Sequence, residues 1–112
     1  MANDNYPNIR GYSLIDIETV ILFKIKSWID LKQRKEAGEE IDSRNIKKHR
    51  NDIFRFLVNV TPSSRVETIG EIKEDVNKFI EMIYLDKPDL KNIGIKRTKF
   101  SELMKILKNC FL

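Results

Sequence analysis

The sequence predicts an all-α fold, a small bundle of about four helices. Three observations carry this. Apolar residues recur at helical, not alternating, spacing through four separate stretches. Turn formers close the stretches: Gly38, the "TPSS" run at 61–64, and Pro88 with Gly94. The connections are short, as in a bundle. The 112 residues suffice for one domain, 1–112, with one core.

The first helix is expected over 17–36. Asp16 can cap it, Glu18 lies in its first turn, and Gly38 follows its end. Stepping 100° per residue, Ile21, Leu22, Ile25, Trp28 and Ile29 share a broad arc. Val20, Phe23 and Leu31 extend the apolar surface, so the helix reads as mostly enclosed. Lys26, Asp30 and Arg34 stand on one edge at i, i+4 and i+8.

After the charged turn "RKEAGEE", a second helix is expected over 43–58, capped by Asp42. Ile46, Ile53 and Leu57 form its inward stripe, with Phe54 and Phe56 on the flanks. The third helix, 69–84, opens on "TIGE", read as a capping box between Thr68 and Glu71. Ile69, Ile72, Val76, Phe79, Ile80 and Ile83 follow at inward spacing. Residues 85–98 form a linker, and a last helix over 99–110 buries Phe100, Leu103, Met104, Leu107 and Phe111. Residues 1–13 are polar and turn-rich, which suits a flexible start. "GYSLIDI" offers a short strand near 12–15.

Hydrophobic residues make up 41% and charged residues 34%, the balance of a globular chain and not of a disordered one. The net charge of +4 permits an anionic partner without requiring one. A single cysteine, Cys110, rules out an internal disulfide and suits a reducing compartment. No apolar run approaches the roughly 18 residues of a membrane span, and the start lacks the apolar core of a secretory signal. A cytoplasmic protein is expected.

The stretch "IDSRNIKKHRNDIFRFL" holds Arg44, Lys47, Lys48, His49, Arg50 and Arg55. On a helix these do not share a face, and nearby acids dilute them. A groove-reading helix would gather its cations on one exposed side. His49 has no second histidine or cysteine thiolate near it to build a closed metal site, so no metal site is expected. Its plain reading is a core-boundary histidine bonded to a neighbour such as Asp52. Lys48 and Asp52, at i and i+4, can pair. The Lys26–Asp30–Arg34 edge is a helix ladder, worth about 0.3–0.5 kcal/mol per pair. Charges on an otherwise apolar helix also suit the wall of a polar cleft. There is no Gly-rich phosphate loop and no paired nucleophile and base.

Residues 23–57, "FKIKSWIDLKQRKEAGEEIDSRNIKKHRNDIFRFL", resemble the C-terminal helical half of bacterial nucleotidyltransferase-like proteins of the AbiEii/AbiGii toxin family. The matching features are Lys26 and Arg34 on the first helix and the "KKHRND" segment on the second. "VETIGEIKEDVNKFIEMI" is similar to the family's next helix, so the likeness spans roughly 12–84. The resemblance implies phosphate contacts from Lys26 and Arg34, and cleft positions for Lys48 and Asp52 with His49 beside them. It also implies a cognate antitoxin and a nucleotide or RNA partner. Mg²⁺ and a nucleoside triphosphate would belong to a complete family member. The family's metal-binding half, a Gly-Ser turn followed by paired aspartates on a strand, has no counterpart here, so no Mg²⁺ clamp is expected. No catalytic residue is assigned, and the chain is expected to be inactive alone. Residues 6–15 would be the last piece of that missing sheet.

Two other readings stand beside this one. The first is a small nucleic-acid- or protein-binding module using Arg44, Lys47, Lys48 and the basic tail (Lys96, Arg97, Lys99, Lys105 and Lys108). The second is a domain that pairs with itself through apolar surface on the first helix.

Overall fold

A computed structural model of the protein describes residues 16–112. The expected strand at 12–15 and the flexible start lie outside the described residues. The described chain forms four helices: α1 (Ile17–Glu36), α2 (Ser43–Leu57), α3 (Gly70–Ile83) and α4 (Phe100–Phe111). α1 packs on α2 and α3, and α4 packs on the same two. Each helix therefore has two neighbours, in the order α1–α2–α4–α3 around one core. No described helix is long and apolar enough to cross a membrane.

The core follows the apolar periods. Ile21, Ile25 and Trp28 of α1, Ile53, Phe54 and Leu57 of α2, Val76, Phe79 and Ile83 of α3, and Leu103 and Leu107 of α4 are fully buried. Phe79 sits at the centre. Its ring meets Trp28 edge-on at 5.2 Å and Phe54 at 6.4 Å. Phe54 meets Phe100 at 5.6 Å, and Phe100 meets Tyr84 edge-on at 5.5 Å. A chain of rings thus runs from α1 through the core to Tyr84 on the surface. Edge-to-face pairs add roughly 0.5–1.5 kcal/mol each beyond their burial.

Local chemistry sets the helix ends. Gly38 takes φ 98°, where an L side chain is strained, and this lets its N–H return to the Lys35 carbonyl at 3.0 Å. The Asp42 carboxylate accepts from the Arg44 N–H at 2.9 Å and caps α2. The Glu102 carboxylate accepts from the Lys99 N–H at 3.0 Å and steadies the start of α4.

Three expectations need correction. Thr68 and Glu71 do not form a capping box. α3 starts one residue late, after Ile69, and Gly70 enters it at φ 60°. The Thr68 hydroxyl instead donates to the Phe111 carbonyl at 2.7 Å and is buried there. With the Val66 N–H on the Cys110 carbonyl at 2.7 Å, it satisfies acceptors left open at the end of α4. Second, Ile69 and Ile72 do not face the core: they are 76% and 50% exposed. The late start leaves Ile69 outside the helix, and Ile72 faces an open groove between α1 and α3. Third, α1 is not enclosed all round, because Phe23 is 67% exposed. Phe23 lies away from the buried Ile21–Ile25–Trp28–Ile29 face, at the edge of a groove shared with Ile72 of α3.

Candidate nucleic-acid interface

The structure does not gather the five sequence-derived site residues. Lys26 turns toward α3, with its ammonium 3.7 Å from Glu71 and 3.9 Å from Asp75. Asp52 meets α1 through Lys24 at 3.1 Å. Lys24 and Lys26 are two residues apart, so about 200° of helix separates their faces. Lys26 and Asp52 therefore lie on opposite sides of α1. Arg34 is exposed near the C-terminal end of α1, bonded to Glu39 at 3.1 Å and Asp30 at 3.4 Å. These carboxylates raise its pKa, Glu39 most strongly. Lys48 is exposed, without an ion-pair partner among the described residues.

His49 and Asp52 do come together, though not by a mutual hydrogen bond. Asp52 is shared by Lys24 and by Arg55, each at 3.1 Å, and does not pair with Lys48. Its carboxylate is taken up on one oxygen by Lys24 of α1 and on the other by Arg55. The His49 Nδ1 is buried with no hydrogen-bond partner in the described structure. Burial, and next the positive charge of Lys24, push the His49 pKa below its ordinary value. A neutral imidazole held this way is a core-edge group. Burial also pushes the Cys110 thiol up, away from nucleophilic use. Among the described residues, no three metal-ligating side chains cluster.

Sequence reasoning missed a second ionic junction. Asp86, just past α3, accepts from Arg50 of α2 at 2.8 Å and pairs with Lys32 of α1 at 3.3 Å. Arg50 is only 12% exposed there. Lys32 also lies over the Trp28 ring at 5.0 Å. The one local signal was the place of Arg50 beside the inward stripe of α2.

The cations of α1 and α2 are thus mostly spent on the fold: Lys24, Lys26, Lys32, Arg34, Arg44, Arg50 and Arg55 all have carboxylate partners. The C-terminal third differs. Residues 85–112 hold seven Lys/Arg against three Asp/Glu, which is the whole +4 excess of the chain. All seven (Lys87, Lys91, Lys96, Arg97, Lys99, Lys105 and Lys108) are exposed, and none is ion-paired among the described residues.

Part of this surface is a groove of about 520 Å³ between the end of α2 and the 93–98 loop. Arg55, Lys96, Arg97 and Thr98 supply its polar lining. A compact turn builds it. The N–H groups of Ile93 and Ile95 return to the Leu90 carbonyl at 3.2 and 2.8 Å, and the Ile95 side chain is buried as an anchor. Lys96 and Arg97 are thereby carried outward, while Arg55 is fixed by the Ile93 carbonyl at 3.4 Å and by Asp52. The rest of the lining is apolar, through Val58, Ile93 and Ile95, and the charged side chains beside it can meet an anion through charge-assisted hydrogen bonds. No family model, no curated protein and no solved structure matches this chain.

Proposed function

We propose that the protein is a small helical nucleic-acid-binding module that grips phosphates with its C-terminal third. The seven-cation surface of residues 85–112, without ion pairs among the described residues and built around the Arg55–Lys96–Arg97 groove, carries this reading. Unpaired lysines and arginines on a rigid surface release counterions from a phosphodiester backbone, and this supplies affinity without sequence preference. The likeness to the nucleotidyltransferase-like family points to the same class of anionic partner. Its Lys26 and Asp52 positions are divided between two sides of α1, so the proposal rests on the C-terminal surface instead.

Fluorescence anisotropy with a labelled RNA, titrated in salt, tests the reading. Saturable binding should persist near ~0.15 M salt. Replacing Lys96 and Arg97 together by Ala should flatten the logarithmic salt slope by about 0.7 per lost contact on a single strand. Unsaturable binding that vanishes at that salt would overturn it.

A second reading has its own observation. Phe23, Leu22 and Ile72 line an apolar groove of about 290 Å³ between α1 and α3. Its rim carries both signs, Lys26 against Glu71 and Asp75. A patch with both charges suits a two-fold contact with a second copy of the chain. Light scattering at high concentration decides this; a clean monomer would remove the support.

A further inference from the structure

We propose that Tyr84 is a base-stacking platform, so that the basic surface takes single-stranded nucleic acid in preference to duplex. This rests on the nucleic-acid reading above and adds to it the form of the partner.

Tyr84 is 43% exposed, yet its ring is not loose. It stands edge-on against Phe100, which rests on Phe54 in the core. Two cations from different elements converge on it. Lys87, in the linker, places its ammonium 5.9 Å from the Tyr84 ring centre and 5.2 Å from that of Phe100. Lys108, on α4, lies 5.7 Å from the Tyr84 ring and 3.5 Å from its hydroxyl oxygen. The neighbouring acids are engaged elsewhere: Asp86 holds Arg50 and Lys32, and Asp89 accepts from the Asn92 N–H. Among the described residues neither ammonium has a carboxylate partner; they meet the two rings and, for Lys108, the Tyr84 hydroxyl. Such contacts are worth about 0.5–1 kcal/mol at an exposed site, so an arriving phosphate readily displaces them.

The displaced lysines then hold phosphates on either side of the ring, and the ring receives a base. Stacking of a base on an aromatic side chain is sequence-tolerant, because every base has a π-face. A duplex keeps its bases stacked on one another and gains nothing from Tyr84. The groove lies close by. Phe100 follows Thr98 by two residues, a span of at most about 7 Å, so one extended strand can pass from Arg97 to Tyr84.

The experiment compares the full chain and its variants on a labelled single-stranded oligonucleotide and on a duplex of equal length, at fixed salt. Tyr84→Ala should weaken single-strand binding about five- to hundredfold and leave duplex binding and the salt slope unchanged. Tyr84→Phe should retain the preference. Tyr84→Leu, which keeps apolar packing on Phe100, should lose it as Ala does. Lys96→Ala with Arg97→Ala should lower both affinities together. Equal loss on both substrates, no loss, or full retention by Tyr84→Leu would overturn the stacking role while the nucleic-acid reading stands. Absence of binding to either substrate near ~0.15 M salt overturns both. Phosphatidylserine vesicles are the remaining arm: saturable vesicle binding that outcompetes the oligonucleotide and depends on Tyr84 would assign the surface to a membrane instead.

Discussion

The α1–α2 layer and the C-terminal third are both rich in lysine and arginine, and they use them in opposite ways. In the first, Asp52 and Asp86 each collect two cations from different places in the chain. Those carboxylates join α1 to α2 and the end of α3 to both. In the second, exposed cations stand along the linker and α4 without carboxylate partners in the described structure. The contrast separates charge that fixes helix register from charge left available to a ligand. A count of basic residues does not make that distinction; the positions of the acids do.

The strongest challenge to this contrast is whether the two regions are one cooperative unit. Phe54 of α2 joins them, since its ring meets Phe100 of α4 at 5.6 Å. Phe54→Ala should cost about 3–5 kcal/mol and still give a single transition, followed by Trp28 fluorescence and by circular dichroism in denaturant. Two separated transitions would break the comparison.

A smaller effect distinguishes paired from unpaired charge directly. Asp86→Ala leaves Arg50 and Lys32 without their carboxylate. The site is partly exposed, so the loss should be about 1–3 kcal/mol, below the figure for a fully buried pair. Arg97→Ala should change stability by less than about 0.5 kcal/mol. Similar costs for the two would erase the distinction. Thr68→Val removes the buried donor to Phe111 and should cost about 1–2 kcal/mol in the same assay.

The smallest effect is one of pH. The fold holds the His49 pKa below the ordinary histidine value of 6.5, by burial first and then by Lys24 and Lys48 against the opposing pull of Asp52. The unfolded chain therefore takes up a proton before the folded one does as pH falls. Stability should be flat above about 6.5 and decline below it, toward the lower folded pKa. His49→Gln should remove that decline; a decline of equal size in the variant would assign it to other groups.

Much of the fold was legible because it is written locally. The helix boundaries follow from the apolar period to within a residue or so, although the Asp16 side chain makes no capping bond to α1 and the Thr68–Glu71 box does not form. Asp42 and Gly38 act where the sequence places them. The candidate site was far less legible, because its partners are distant. Lys24 reaches Asp52 across 28 residues, and Lys32 reaches Asp86 across 54. The i, i+4 reasoning that paired Lys48 with Asp52 cannot find such contacts. Thr68 failed in the same manner: its local signature is a cap, and its acceptor lies 43 residues away. The exposure of Ile69 and Ile72 depends on which neighbour α3 receives, which no single helix period states. The basic tail could be read as a list of residues, but its lack of acid partners among the described residues emerged only in three dimensions.

The bond from Thr68 to Phe111 also carries a consequence for how the protein comes into being. On a growing chain, the loop before α3 emerges well before the end of α4. At a synthesis rate of about 5–20 residues per second, the 43 intervening residues take roughly 2–9 s. During that interval Phe54 lacks the cover of Phe100, and Thr68 and Val66 have only water to bond. Until α4 is made, the apolar face that it covers in the finished fold stays open. The last turn of α4 acts as the latch, and a ribosome stalled before it would leave that face for chaperones to find.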